Sequence, residues 1–305
     1  MQELLTALWP IFALIVAGYG LMRRGLPDPH FWPGAERLNY FVLFPALLFS
    51  SLADAPFDDS ALPRLLTAIG LILALCSLTL WSLRRHWRWP AARFGVMVQG
   101  TLRFNTYLGL AVVTSLFGGE GLKLAAVVLA LLVPMVNVLS VVALTGDETT
   151  SAKRLLRPIV KNPLILACAA GALFNLAGGE LGGGVDRLLS LTAAASLPLG
   201  LLCVGAALRP QQLGGEIATL AITSTIRLLL IPCLAAAVAM LLQLPSMERT
   251  LVVLFFSLPT APAAYVLTRQ LGGDSQLMAG VITLQTLLAA LSLMLIVTLI
   301  TAIPG

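Results

Sequence analysis

Charge is what this sequence has least of. Only 11% of its 305 residues are Asp, Glu, Lys or Arg, where a soluble domain carries about 25%. That supply cannot cover a water-exposed surface, so a soluble globular protein is excluded. Histidine is almost absent, and the two present, His30 and His86, fall in loops between apolar runs. No H-E-x-x-H, G-x-S-x-G or P-loop pattern occurs, and no histidine is placed to activate a nucleophile in the membrane. An enzyme is therefore not expected, and no cofactor is implied. Cys76, Cys168, Cys203 and Cys233 all sit inside apolar runs without metal-ligand spacing, which makes them packing residues rather than ligands. Period-2 alternation is missing too, and that excludes a β-barrel.

What is there is apolar, at 58% of residues, and long enough in its runs to cross a bilayer repeatedly. The expected class is an all-α polytopic membrane protein. Charges, Gly and Pro punctuate the chain into ten expected spans: 3–22, 36–53, 61–83, 92–117, 120–145, 160–177, 185–208, 215–243, 249–271 and 275–302. The opening MQELLTALWP lacks a basic n-region and a cleavage site, so the first run reads as a retained span. Assigning loops alternately to two sides puts Arg23, Arg24, Arg37, Arg84, Arg85, Arg88, Arg93, Lys153, Arg154, Arg157, Lys161, Arg209 and Arg269 together. Only Arg64, Lys123, Arg187 and Arg249 fall opposite. The basic side is expected in the cytoplasm and both termini outside.

The two halves match at a nearly fixed offset. Pro10 and Gly18 correspond to Pro163 and Gly171, and Pro45 to Pro198, all 153 residues apart. Gly118-Gly119-Glu120 corresponds to Gly272-Gly273-Asp274 at 154. Residues 1–145 and 160–305 thus read as two five-span units joined by a cytoplasmic linker at 146–159. An odd number of spans per unit makes the second copy enter from the opposite side, an inverted repeat.

One residue contradicts the apolar pattern. Arg103 lies ten residues from Arg93 in QGTLRFNTYLGL, about 15 Å along a helix and hence near mid-bilayer. At the offset of 154, the stretch Arg103 to Gly109 faces Ser257 to Ala263, where Pro259 and Pro262 stand in mid-membrane. Proline breaks a helix, and broken backbone survives at that depth only inside protein or along a wet cavity. Spans 4 and 9 are therefore expected to be broken and to cross, with half-helix N-termini near Tyr107 and Ala263 directed at the crossing. No Asp or Glu lies at the centre of any span, which leaves a substrate anion as one partner for Arg103. Capping of freed carbonyls, or reaching to the cytoplasmic face, are the others. Gln99, Asn105, Thr106, Thr260 and Ala261 share these stretches. Gln285, beside Thr283 and Thr286, can turn toward the same place. Asn137 is either part of this site or a bond to a neighbouring helix. Arg227, also mid-span, is expected either to hold the C-terminal end of a broken half-helix or to contact an anion.

Seven stretches, in order along nearly the whole chain, resemble the auxin efflux carrier family. They are LNYFVLFPALLFSSLA (38–53), GTLRFNTYLGLA (100–111), LVPMVNVLSVVAL (132–144), KNPLILACAAGAL (161–173), SLPLGLLCVGAAL (196–208), RLLLIPCLAA (227–236) and LPTAPAAYVLTRQLGGDSQLMAGVITLQTLLA (258–289). The resemblance implies ten helices in two inverted repeats, a fold related to the bile acid sodium symporters. It implies a scaffold of spans 1, 2, 6 and 7, a moving transport domain of spans 3–5 and 8–10, a homodimer and an elevator-type mechanism in the cytoplasmic (inner) membrane. The fourth-span crossover reads RFNTY and lacks proline, and the 146–160 loop is short. These departures point away from auxin and toward a bacterial permease of small organic anions. The alternative is a sodium-coupled symporter or exchanger, whose cation site would use backbone carbonyls, Asn, Gln and Thr. Proton coupling would more readily use a buried carboxylate.

Overall fold

The computed structural model describes residues 2–55, 62–145 and 161–301, and every regular element among them is helical. The expected 146–159 linker lies outside the described residues. In chain order the helices are α1 (Gln2–Arg23), α2 (Phe31–Leu38), α3 (Phe44–Ala53), α4 (Leu62–Trp87), α5 (Ala91–Leu102) and α6 (Thr106–Thr145). Then come α7 (Pro163–Leu176), α8 (Val185–Ala206), α9 (Ile217–Thr225), α10 (Ile231–Leu241), α11 (Ser246–Ser257), α12 (Ala263–Gln270) and α13 (Ser275–Thr301).

Among the described residues, six helical stretches are long and apolar enough to cross a bilayer. This is fewer than the ten expected spans, and the reasons are local. Spans 4 and 5 are counted together, because only a kink at Gly118 (φ 60°, ψ −146°) separates the two parts of α6. Span 2 is divided between α2 and α3 by a π-turn at Asn39–Leu43. Span 6 is the 14-residue α7, about 21 Å at the usual rise. Span 9 is interrupted between α11 and α12.

Prolines account for two of the irregularities. Pro45 has no amide to give Phe41, and its ring crowds that carbonyl. The helix widens just before it, so that the Phe44 amide bonds the Asn39 carbonyl five residues back. Pro232 does the same downstream of the π-turn Ile226–Leu230, where the Ile231 amide bonds the Ile226 carbonyl. Each π-turn carries a polar residue that is fully buried, Asn39 in the first and Arg227 in the second.

Contacts divide the chain into two compact units. The first comprises Met1–Asp59, Leu110–Val133 and Pro158–Ala207. Here α1 packs on α8 and α3 on α7. Both pairs meet at a glycine. A Cβ on Gly18 would stand 2.0 Å from the Leu202 carbonyl oxygen, and one on Gly171 would stand 2.6 Å from that of Phe49. Gly18 and Gly171 are 153 residues apart, and so are Phe49 and Leu202. Small residues at such contacts let backbones touch, which is how helices gain dispersion energy where lipid removes the hydrophobic drive. Polar closure is sparse here. Asn39 Nδ2 donates to the Ser196 carbonyl at 3.0 Å, and the Ser196 hydroxyl returns a bond to Asn39 Oδ1 at 2.9 Å. Asn175 Nδ2 reaches the Leu52, Ala53 and Ala55 carbonyls at the end of α3.

The second unit comprises Ser60–Gly109, Pro134–Arg157 and Leu208–Gly305. It holds α4, α5, α9–α13 and both ends of α6. α13 is its central element, packing on α5, α9, α11 and α12.

Candidate functional site: a crossing of two broken helices

Two helix breaks lie in the second unit. α5 ends at Leu102, and Arg103 that follows is extended (φ −78°, ψ 136°) before α6 begins at Thr106. α11 ends at Ser257, Leu258 is extended (φ −68°, ψ 144°), and α12 begins at Ala263. Pro259 and Pro262 lie in this second gap. A main-chain bond joins the breaks, the Asn105 amide donating to the Pro259 carbonyl at 2.8 Å. Asn105 and Pro259 are themselves 154 residues apart.

A helix that stops inside a protein leaves carbonyls without amide partners, and each must be satisfied. The Gly100 carbonyl receives Gln285 Nε2 at 3.0 Å. Gln285 Oε1 accepts from the Thr260 amide at 2.9 Å and the Thr260 hydroxyl at 2.7 Å. One side chain from α13 thereby ties the end of α5 to the second break. Arg227 satisfies three more carbonyls. Its Nε donates to Leu258 at 2.6 Å, Nη1 to Thr101 at 2.7 Å and Nη2 to Phe255 at 3.2 Å. Of the two roles expected for Arg227, the structure gives it the first, as a cap on carbonyls at both breaks.

The beginnings of the half-helices are built differently. Asn105 is the N-cap of α6, its Oδ1 accepting the Leu108 amide at 3.2 Å. The Asn105 side chain is fully buried, and its Nδ2 has no hydrogen-bond partner among the described residues. A buried donor left in that condition costs about 1–3 kcal/mol. Arg103, partly buried, places Nη1 3.4 Å from Gln99 Oε1. Gln99 Nε2 in turn donates to the Thr268 hydroxyl of α12 at 2.7 Å.

Around the two breaks, Gln99 and Arg103 bond as one group with Thr268, Thr260 and Gln285 form a second over the Gly100 carbonyl, and Asn105 forms a third with Pro259 and Leu108. Thr106 opens α6, and the Ala261 carbonyl accepts the amide of Ala264, the second residue of α12, at 3.0 Å. Asn137 is partly exposed on the later part of α6 and, among the described residues, shares none of these hydrogen bonds. Thr268 was not among the residues expected, since nothing in a lone threonine 169 positions away from Gln99 announces the pair. Each unit also holds a cavity. One of about 580 Å³ in the first unit is lined by Pro10, Ser50, Ser51, Thr114 and Lys123 among others. The other, of about 320 Å³ in the second unit, is lined by Trp87, Trp89, Arg93, Thr101 and Thr223 among others.

Apolar helices, two of them broken where polar side chains gather, define a multi-pass membrane protein of the transporter class. The family described as membrane transport proteins matches residues 3–151 and 140–297. The chain belongs to that family, the auxin efflux carriers. It is also similar to an uncharacterized transporter of Methanothermobacter thermautotrophicus (strain Delta H), with 27% identity over 288 residues that cover 93% of this chain and 94% of the relative.

Proposed function

We propose that this protein carries small organic anions, mono- or dicarboxylates of the malonate and malate kind or auxin-like acids, as a secondary transporter in the cytoplasmic membrane. The observation that carries the reading is the crossing itself. α6 and α12 start beside it, and each helix start carries about half a positive charge. Arg103 adds a full charge, and its planar fork suits a carboxylate. The buried Asn105 amide offers a further donor. Discontinuous helices that present their positive ends at mid-membrane are the way many carriers hold anionic groups.

In this reading the ten spans form two inverted five-helix repeats with both termini outside. The paired offsets of 153 at the glycine contacts and 154 at the breaks support it. So do three contacts between segments that the basic-loop rule assigns to one side. Arg93 pairs with Glu216, and the Asp274 amide bonds the Ala92 carbonyl, all on the cytoplasmic side. Arg64 bonds the Gln243 carbonyl on the outer side. Alternating access is elevator-like, with spans 1, 2, 6 and 7 as the scaffold of a homodimer.

The deciding experiment is a calorimetric screen of mono- and dicarboxylates on purified protein, with and without sodium. Saturable binding of at least one carboxylate is expected, and its loss in Arg103→Gln. Failure of the whole panel would remove the reading, and sodium-dependent binding would move it to the symporter class. Topology has its own check. Cysteines at Pro29 and Gly182 are expected to react with an impermeant thiol reagent from the inside and the outside respectively, and reversed labelling would overturn the orientation.

A further inference from the structure

Arg227 sits where the geometry has gathered negative partial charge. α5 and α11 both end at the crossing, and each helix end carries about half a negative charge, so two together amount to roughly one elementary charge. A single guanidinium matches that sum. It bonds Thr101 at the end of α5, Phe255 near the end of α11 and Leu258 in the gap beyond. Thr101 and Phe255 are 154 residues apart, so the same carbonyl is held in each repeat. The side chain is fully buried, and among the described residues no carboxylate bonds it. Its fork is directed by the π-turn Ile226–Leu230, which carries it on the widened part of the helix.

Carbonyls of unwound backbone and half-helix C-terminal ends are the groups with which carriers coordinate a sodium ion. Here the Thr101, Phe255 and Leu258 carbonyls accept from Arg227, and the Gly100 carbonyl accepts from Gln285 and Thr260. We propose that Arg227 is a fixed, covalently attached cation in the place of a coupling ion, so that anion binding at this crossing needs no alkali metal. The proposal rests on the anion-carrier reading for its substrate and on the Arg227 geometry alone for the cation. With the helix C-termini neutralised from within, what remains for the substrate is the positive side of the crossing, Arg103 and the starts of α6 and α12. Arg227 is a positioning residue: it holds the breaks and never needs to touch the anion.

The test uses full-length protein and malonate as the probe, in sodium, potassium or N-methylglucamine chloride at matched ionic strength. The parent is expected to bind malonate equally in all three and to melt at the same temperature in all three. Arg227→Ala, which opens the space, is expected to lose binding by more than about tenfold and to melt lower. Both are expected to be restored by low-millimolar guanidinium and not by N-methylglucamine. Arg227→Lys, which keeps the charge and loses the three-carbonyl fork, is expected in between. A parent that binds malonate or gains melting temperature selectively in sodium or potassium overturns the proposal. So does a folded Arg227→Ala that binds and melts like the parent, or that guanidinium leaves unchanged. If Arg227→Ala fails to fold, the parent's salt series still decides. If the parent binds no malonate, the substrate reading fails while the melting series continues to test the fixed cation.

Discussion

Of the twenty buried polar or charged side chains among the described residues, Asn39, Ser51, Asn162 and Ser196 belong to the first unit, and sixteen belong to the second. The first unit is held by helices that approach through glycine, with Gly18 and Gly171 against neighbouring backbone. The second is held by side chains that answer broken backbone, with Gln285, Arg227 and Asn105 each bonded to a main-chain group at a break. Dry contact needs no partner beyond shape. A break in a membrane helix needs one donor or acceptor for each group it frees. The difference teaches which unit tolerates polarity changes and which tolerates volume changes.

Arg103→Gln should break the contrast most sharply on the polar side. Removing one partner of a desolvated charge pair costs about 2–5 kcal/mol, roughly 30- to several-thousand-fold in affinity. Calorimetry should show that loss with expression and dispersity preserved, and Arg103→Lys should fall between. If Arg103→Gln binds as the parent does but melts lower, Arg103 serves the backbone and not the anion. Volume is the test on the other side. Gly18→Ala adds one carbon against a carbonyl at 2.0 Å, and Gly171→Ala adds one at 2.6 Å. Overpacking of this kind costs about 1–3 kcal/mol, and thermal melting should rank Gly18→Ala as the worse of the two. Malonate affinity per folded molecule should stay unchanged in both.

Smaller effects sharpen the same comparison. Asn105→Ala removes an N-cap worth about 0.5–2 kcal/mol and a neutral donor. Affinity should fall by only about two- to tenfold, less than for Arg103→Gln, when both are titrated side by side. Smallest is Glu216→Gln. Glu216 bonds Arg93 and Thr219 at the surface, and the hydrogen bond from Arg93 holds its carboxyl below the usual carboxylate range. A lowered folded value means that its stabilisation is present above the ordinary carboxylate pKa and is lost as pH falls through the folded one. An exposed pair contributes about 0–1 kcal/mol, so melting curves of parent and variant should nearly coincide at pH 7 and converge further in acid.

Most of the helical layout was legible in the sequence, because apolar runs and their charged ends report where chain can lie in lipid. α1, α4, α8 and α13 follow the expected spans to within a few residues. Prolines 259 and 262 marked the second gap, since a missing amide is visible in the residue type itself. The first gap, at Arg103 to Asn105, contains no proline. It was read only through its counterpart 154 residues on. What the sequence concealed was pairing. Arg227 meets three main-chain oxygens, and backbone carbonyls look alike in any sequence. The π-turns at Asn39–Leu43 and Ile226–Leu230 were also hidden. A downstream proline is compatible with a kink, a widened turn or a helix start, and only the neighbours decide which.

The bond from the Asn105 amide to the Pro259 carbonyl has a consequence for anyone who scans this protein residue by residue. Both of its atoms belong to the main chain, so an alanine library passes over it without a signal. Position 105 can be varied through every ordinary amino acid while the strap between the breaks stays intact, and only proline, which has no amide hydrogen, cuts it. A map of mutational tolerance would therefore show position 105 as two layers: a graded response set by the side chain, and a single intolerant substitution that reports the strap beneath.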